Sequence, residues 1–239
     1  MKGPRPDHVR DPNYDPKVID TPGLELLGAR QEKFLADWAD LHDGAAIKAV
    51  LSQTGFCGGA HLHGTRDNRL HADLDSNGWP QSGRKRALEL IRKARAVHIA
   101  GDQHIATLIQ HGIREYRDGP WAFVVPAIVN TYYGRWWWPE DEKPGANPVP
   151  GSPLPWTGDF LDGFGNKISM VAYANPDKRL SSVSSNKPQP EDTDWADGWG
   201  LIRFHKKAGE VTFECWPRFA NVTLPGARQF PGWPQTVKP

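Results

Sequence analysis

Two short apolar runs constrain this chain more than any other feature. Ala46-Ile47-Lys48-Ala49-Val50-Leu51-Ser52 and Ala96-Val97-His98-Ile99-Ala100 are each the length of a strand, and both read as buried strands. Between them, from about Gly83 to Ala94, the residues Ala87, Leu88, Ile91 and Ala94 fall on one face at helical spacing. Ahead of the first run, a helix starting near Gly28 collects Phe34, Leu35, Trp38 and Leu41 on one face and ends at Asp43-Gly44. A short helix at about 105–112 and a strand at 121–125 extend the series. The order helix, strand, helix, strand, helix, strand is an α/β layer arrangement. In such sheets ligands gather at the C-terminal ends of strands. The segment 54–82 is a long loop rich in Gly, His, Asp and Asn, and loops of that length inside a domain are often functional.

The second part changes character. Residues 139–164 are rich in Pro and Gly, Ile168–Ala174 reads as a strand, and 175–198 is a polar loop. Gly200–His205 and Val211–Trp216 alternate and flank Lys206–Glu210, which predicts a hairpin. The tail after Pro217 shows no periodicity. The chain is therefore expected to be α/β (α+β), with an irregular arm at 1–23, an α/β part at 24–138 and a β-rich part at 139–239. A hydrophobic content of 38% is enough for a core, and the net charge of +1 without a basic block gives no case for nucleic acid as a specific partner. No apolar run is long enough to span a membrane, and Met1–Asp20 is too polar for a signal peptide. Cys57 and Cys215 form no CxxC pair, which removes a cysteine zinc site and leaves two buried thiols as the expectation.

Four patterns carry candidate chemistry. Asp102 and His104 follow the second run in Gly101-Asp102-Gln103-His104. Carboxylate oxygen suits hard cations and imidazole suits transition metals. If 101–104 is extended, the two side chains project to one side and can meet one metal. His61 and His63, flanked by glycines, follow the same logic: one imidazole can bind a metal while the other holds a phosphate oxygen or protonates a leaving group. Asp73 and Asp75 are paired carboxylates beside the Asn77-Gly78 turn and can bind a cation. Arg84, in the first turn of the following helix, is a candidate phosphoryl contact, as is Arg86. Each pattern also occurs as a solvated loop or helix start. The Trp136-Trp137-Trp138 run can pack a core or stack on a sugar or base, with packing the better reading, and His98 reads as a core histidine. The motifs G-x-S-x-G, G-x-x-x-x-G-K-[ST], H-E-x-x-H and G-x-G-x-x-G are absent, which removes the usual routes to an α/β-hydrolase, a P-loop enzyme, a zincin and a dinucleotide enzyme.

Taken in order, Leu27-Gly28-x-x-Gln31-x-x-Phe34-Leu35, Lys48–Thr54, Asp75-Ser76-Asn77-Gly78-Trp79-Pro80 with Arg84, and Gly101-Asp102-Gln103-His104 resemble the PhoD-like (alkaline phosphatase D type) phosphatases. Phe213–Pro217 and Gly232-Trp233-Pro234 look like the close of the domain in one branch of that family, so the resemblance covers most of 24–237. It implies a calcineurin-like metallophosphatase fold of two packed β-sheets flanked by helices. It implies hydrolysis of phosphate mono- or diesters by a two-metal mechanism, on a small phosphate ester substrate. Calcium and iron are the implied metals, with zinc or manganese as alternatives. Asp102 and His104 match the family's closing metal motif, and Asp75 matches a position before the second helix. The aromatic pattern after Asp75 departs from the commoner form. The family's early ligands lie upstream of the helix near Gly28, so the resemblance implies a chain lacking the N-terminal half of the catalytic domain. Family members are often exported. The competing readings are an inactive fragment or scaffold of that family and, less well supported by the α/β order, a carbohydrate-binding β-sandwich.

Overall fold

The computed structural model describes residues 7–41, 44–63, 69–128, 135–176 and 196–239. Asp43 and most of the polar 175–198 loop lie outside the described residues. The arm contributes β1 (His8–Val9) and a 3-10 turn, Pro16–Ile19, and is followed by α1 (Ala29–Ala39) and β2 (Lys48–Thr54). Two short strands, β3 (Leu62–His63) and β4 (Ala72–Asp73), interrupt the long loop before α2 (Gln81–Lys93). Then come β5 (Ala96–Gly101), β6 (Ala106–His111), β7 (Trp121–Val124), β8 (Arg135–Trp136), β9 (Gly158–Leu161) and β10 (Lys167–Ala174). The chain closes with β11 (Gly198–His205), β12 (Glu210–Pro217) and β13 (Gln235–Val237).

Six strands make one mixed sheet in the order β2-β5-β7-β6-β10-β9. The β2–β5 and β5–β7 pairs are parallel and the others antiparallel. Strand alternation sends successive side chains to opposite faces. Val97, Leu108, Phe123 and Ala172 face a second sheet, β11-β12-β13, through Val211, Phe213, Cys215 and Val237. On the opposite face Val50 and Ala96 meet α1 and α2 through Ala39, Ala87, Leu88 and Ile91. Leu88 and Ile91 are fully buried, and each such side chain contributes about 1.5–3 kcal/mol of burial. The rest of that face, at Ile109, Ala122, Ile168 and Met170, is covered by Cys57 and Trp137 from the site loops. A register shift between Met170 and Ala172 lets β10 keep apolar residues on both faces, with Met170 and Tyr173 toward the loops and Ala172 and Ala174 toward the second sheet. The chain is thus a mixed α/β fold of sheets with two helices.

Several expectations need correction. Residues 106–111 are strand, not helix. The run Ala-Thr-Leu-Ile-Gln-His is covered on both faces, so it loses the alternation that separates strand from helix. Phe34 in α1 and Leu41 just past its end are 67% and 59% exposed, and the inward side is Ala39 with Trp38. The tail, without periodicity, supplies β13, which pairs with β12. The described part of the arm docks on α2: Asp20 accepts from the Ser82 amide (3.1 Å) and hydroxyl (2.7 Å), which satisfies an N-terminal donor of a helix that lacks its own side-chain cap. Gln81 Nε2 adds bonds to the Pro16 and Phe164 carbonyls.

Candidate functional site

The long loop folds back over the C-terminal ends of β2 and β5. His61 N–H donates to the Trp136 carbonyl (2.7 Å), Leu70 N–H donates to the His61 carbonyl (2.9 Å), and His63 on β3 sits opposite Arg135 on β8. These ties close a small cavity of about 40 Å³ whose wall includes His61, His63, Asp73, Asp75 and Asp102. That volume suits ions and a few waters rather than a drug-sized ligand. Five of the eight candidate residues are therefore brought to one place. His104, Arg84 and Arg86 do not line this cavity.

The segment after β5 is not extended, which corrects the geometry expected for Asp102 and His104. Gln103 N–H donates back to the Gly101 carbonyl (2.8 Å) with Asp102 at φ 66°, a γ-turn of a type that costs strain in a residue with a side chain. His104 follows at φ 54°. Gln103 holds the turn, since its Nε2 donates to the Cys57 carbonyl (2.5 Å) and its Oε1 accepts from Gly59 N–H (3.0 Å). Asp102 thereby reaches the cavity while the two-residue spacing no longer gives a shared side.

Arg84 is a structural residue. It is fully buried; Nε donates to the Phe56 carbonyl (2.5 Å), Nη1 to the Gly112 carbonyl (3.2 Å) and Nη2 meets His111 Nδ1 (3.1 Å). Each guanidinium nitrogen is thus engaged inside the protein, which makes Arg84 a poor phosphoryl contact. Arg86 pairs with Glu32 at 3.1 Å. Trp136 and Trp137 are buried, so two of the three consecutive tryptophans are core. Cys57 and Cys215 are free buried thiols, and burial pushes Cys57 up to about 12.

A feature that the sequence did not reveal lies in the arm. The β1–β4 ladder pairs His8 with Asp73, and the His8 Nε2 to Asp73 Oδ2 distance is 3.5 Å. Asp7, His8 and Asp73 each offer a donor atom, all within 4.8 Å of one another. Around an ion with bonds near 2.0–2.2 Å such donors sit roughly 3–4 Å apart, so a small contraction closes the set. The His8 ring also meets the His63 ring edge-on at 5.2 Å. Two carboxylates and an imidazole form a mixed oxygen and nitrogen set that suits manganese, iron or zinc better than calcium.

Burial lowers the pKa of His61 to about 4, with Arg69 and His71 acting in the same direction. It is neutral at pH 7. Its Nδ1 accepts from Trp138 N–H (3.3 Å), which leaves the proton on Nε2. His61 is then a neutral donor. A second, larger cavity of about 500 Å³ adjoins the first, and the two share His61, Leu70, His71 and Gly163. Gly163 is required there, because a Cβ would lie 1.4 Å from the His71 carbonyl oxygen.

No family model matches the chain, and no curated protein matches it. A solved structure described as "Structure of PhoD" aligns with 47% of this chain and 22% of its own chain, at 22% identity and a TM-score of 0.34. The chain thus spans under a quarter of that protein, and a likeness at that score does not establish a shared fold.

Proposed function

We propose that this chain handles phosphate esters as part of a metal-dependent phosphoesterase of the PhoD-like, calcineurin-like type. The observation that carries the reading is the juxtaposition of the Asp7–His8–Asp73 donor set with a cavity walled by His61, His63, Asp75 and Asp102. The ordered motifs from Leu27 to His104 support the same reading.

In this reading Asp7, His8 and Asp73 hold a divalent cation, with Asp75 and Asp102 in reach of the same small space. A bound cation supplies Lewis acidity and a water of lowered pKa. The chain's own residues orient the ester. His61, neutral and protonated on Nε2, donates a hydrogen bond to a phosphoryl oxygen; it is too weak an acid in that form to release a proton to the leaving group. Asp73 is held by the Asp75 amide, which donates to its Oδ1 (3.1 Å) and leaves Oδ2 toward His8.

One observation favours a second reading, a phosphate-binding scaffold without turnover. Among the described residues a single three-donor cluster is present, whereas a two-metal mechanism needs two. Hydrolysis of bis(p-nitrophenyl) phosphate by the purified chain separates the readings, with manganese, iron, zinc and calcium each tested against a chelator control. Chelator-sensitive turnover that is lost in Asp73→Asn supports the phosphoesterase. A folded sample that binds metal without turnover supports the scaffold, and turnover indifferent to both chelator and Asp73→Asn overturns the metal site.

A further inference from the structure

The larger cavity is lined by a cation that the sequence patterns passed over. Arg69 pairs as an isolated bridge with Leu62 and is partly buried. Its Nη1 donates to the Trp138 carbonyl (2.9 Å). Among the described residues no carboxylate forms an ion pair with it, and Glu140 and Glu142 act on it only at longer range. A half-buried guanidinium carries a desolvation cost, and it keeps several N–H donors in a planar fork suited to oxyanions.

The backbone of one residue, Trp138, holds both Arg69 and His61. Trp138 N–H donates to His61 Nδ1, and Trp138 C=O accepts from Arg69. Trp138 is itself fixed, with its ring against Trp156 at 4.2 Å and its Nε1 donating to Glu142 (3.2 Å). One backbone residue therefore orients two donors, one neutral and one cationic. His61 lines both cavities, and Arg69 lines the larger one.

We propose that Arg69 and His61 form an oxyanion clamp where the two cavities meet, gripping the phosphoryl group of the ester. The small cavity takes the end facing the metal cluster. The larger cavity takes the organic remainder against Phe160, Leu161 and Pro139, while Glu140, Asp141 and Asp162 on the same wall oppose an anion and leave Arg69 as the cation that offsets them. The use of the clamp on an ester rests on the phosphoesterase reading, whereas oxyanion binding by Arg69 does not. Arg69 fills the phosphoryl-contact role that Arg84 cannot, because each arm of the Arg84 guanidinium is closed inside the protein.

The test is calorimetric titration of the full chain with inorganic phosphate, first in chelator and then with manganese, with sulfate and acetate as parallel probes. The clamp predicts that phosphate binds without metal and more tightly with it. Arg69→Met weakens binding about tenfold or more, and Arg69→Lys weakens it less because the charge stays while the fork is lost. Sulfate follows phosphate if the clamp reads only the tetrahedral oxyanion, and acetate binds more weakly. Should Arg69→Met fail to fold, Arg69→Lys carries the test. Absence of phosphate binding by the wild type, or binding unchanged in the folded variants, overturns the clamp. Phosphate binding that depends on Arg69 in a chain that takes up no metal leaves the clamp standing and removes the phosphoesterase reading. Metal binding without phosphate binding does the reverse.

Discussion

The Trp138 N–H donates to Nδ1 of His61 over 3.3 Å, and this one bond decides which nitrogen of His61 carries the proton. The imidazole nitrogen correlation spectrum at neutral pH is expected to show His61 as the Nε2–H tautomer. A spectrum with the proton on Nδ1 removes His61 as the donor to a phosphoryl oxygen. The bond comes from a backbone amide, so replacing the Trp138 side chain with Phe is expected to leave the tautomer in place while weakening the packing on Trp156.

Arg84→Met tests the structural assignment of that arginine. The substitution leaves two carbonyls and His111 Nδ1 without their buried donor and removes a positive charge acting on Asp162. A loss of about 3–5 kcal/mol in urea unfolding is expected. A loss under about 1 kcal/mol contradicts the burial described here.

Stability is expected to depend on pH through His98. Burial, reinforced by the charge of Arg84, lowers His98 to about 4, and His111 lies below its ordinary value for the same reasons. The unfolded chain titrates near 6.5, so between about 4 and 6.5 the unfolded state binds more protons. The stabilisation is therefore complete above about pH 6.5 and is lost as pH falls through that window. For His98 alone the shift corresponds to about 3 kcal/mol. Urea midpoints measured across this range are expected to fall with pH in the wild type and to fall less steeply in His98→Phe. Equal slopes contradict the account.

Gly163→Ala is expected to damage both cavities at once. The added methyl meets the His71 carbonyl oxygen at 1.4 Å, and backbone on both sides must move. A destabilisation of about 2 kcal/mol or more is expected, with weakened phosphate binding. Wild-type stability and binding in this variant would contradict the close approach.

Much of the frame was legible because its signals are local. Ala87, Leu88 and Ile91 have helical spacing, and β11 and β12 alternate on either side of a turn, so α2 and the hairpin follow from periodicity. Crowding of His61, His63, Asp73 and Asp75 into one Gly-rich loop after a strand pointed to the cavity they share. The rest depends on contacts that a linear pattern does not carry. His8 reaches Asp73 through a two-residue ladder held by Asp20 and Gln81, far along the chain. Arg69 sits in a mixed polar stretch with no pattern of its own, and its role appears only when Trp138 arrives beside it. Asp102 takes a left-handed turn that nothing in its residue type announces, and β6 is hidden by being apolar on both faces.

The metal centre is tested most directly by calorimetric titration of the metal-free chain with manganese, in the wild type, Asp73→Asn and His8→Ala. Saturable binding is expected in the wild type and is lost in both variants, while the urea midpoints show the folded state retained. Absence of binding by the wild type, or binding that survives both substitutions, would contradict a metal centre at Asp7, His8 and Asp73.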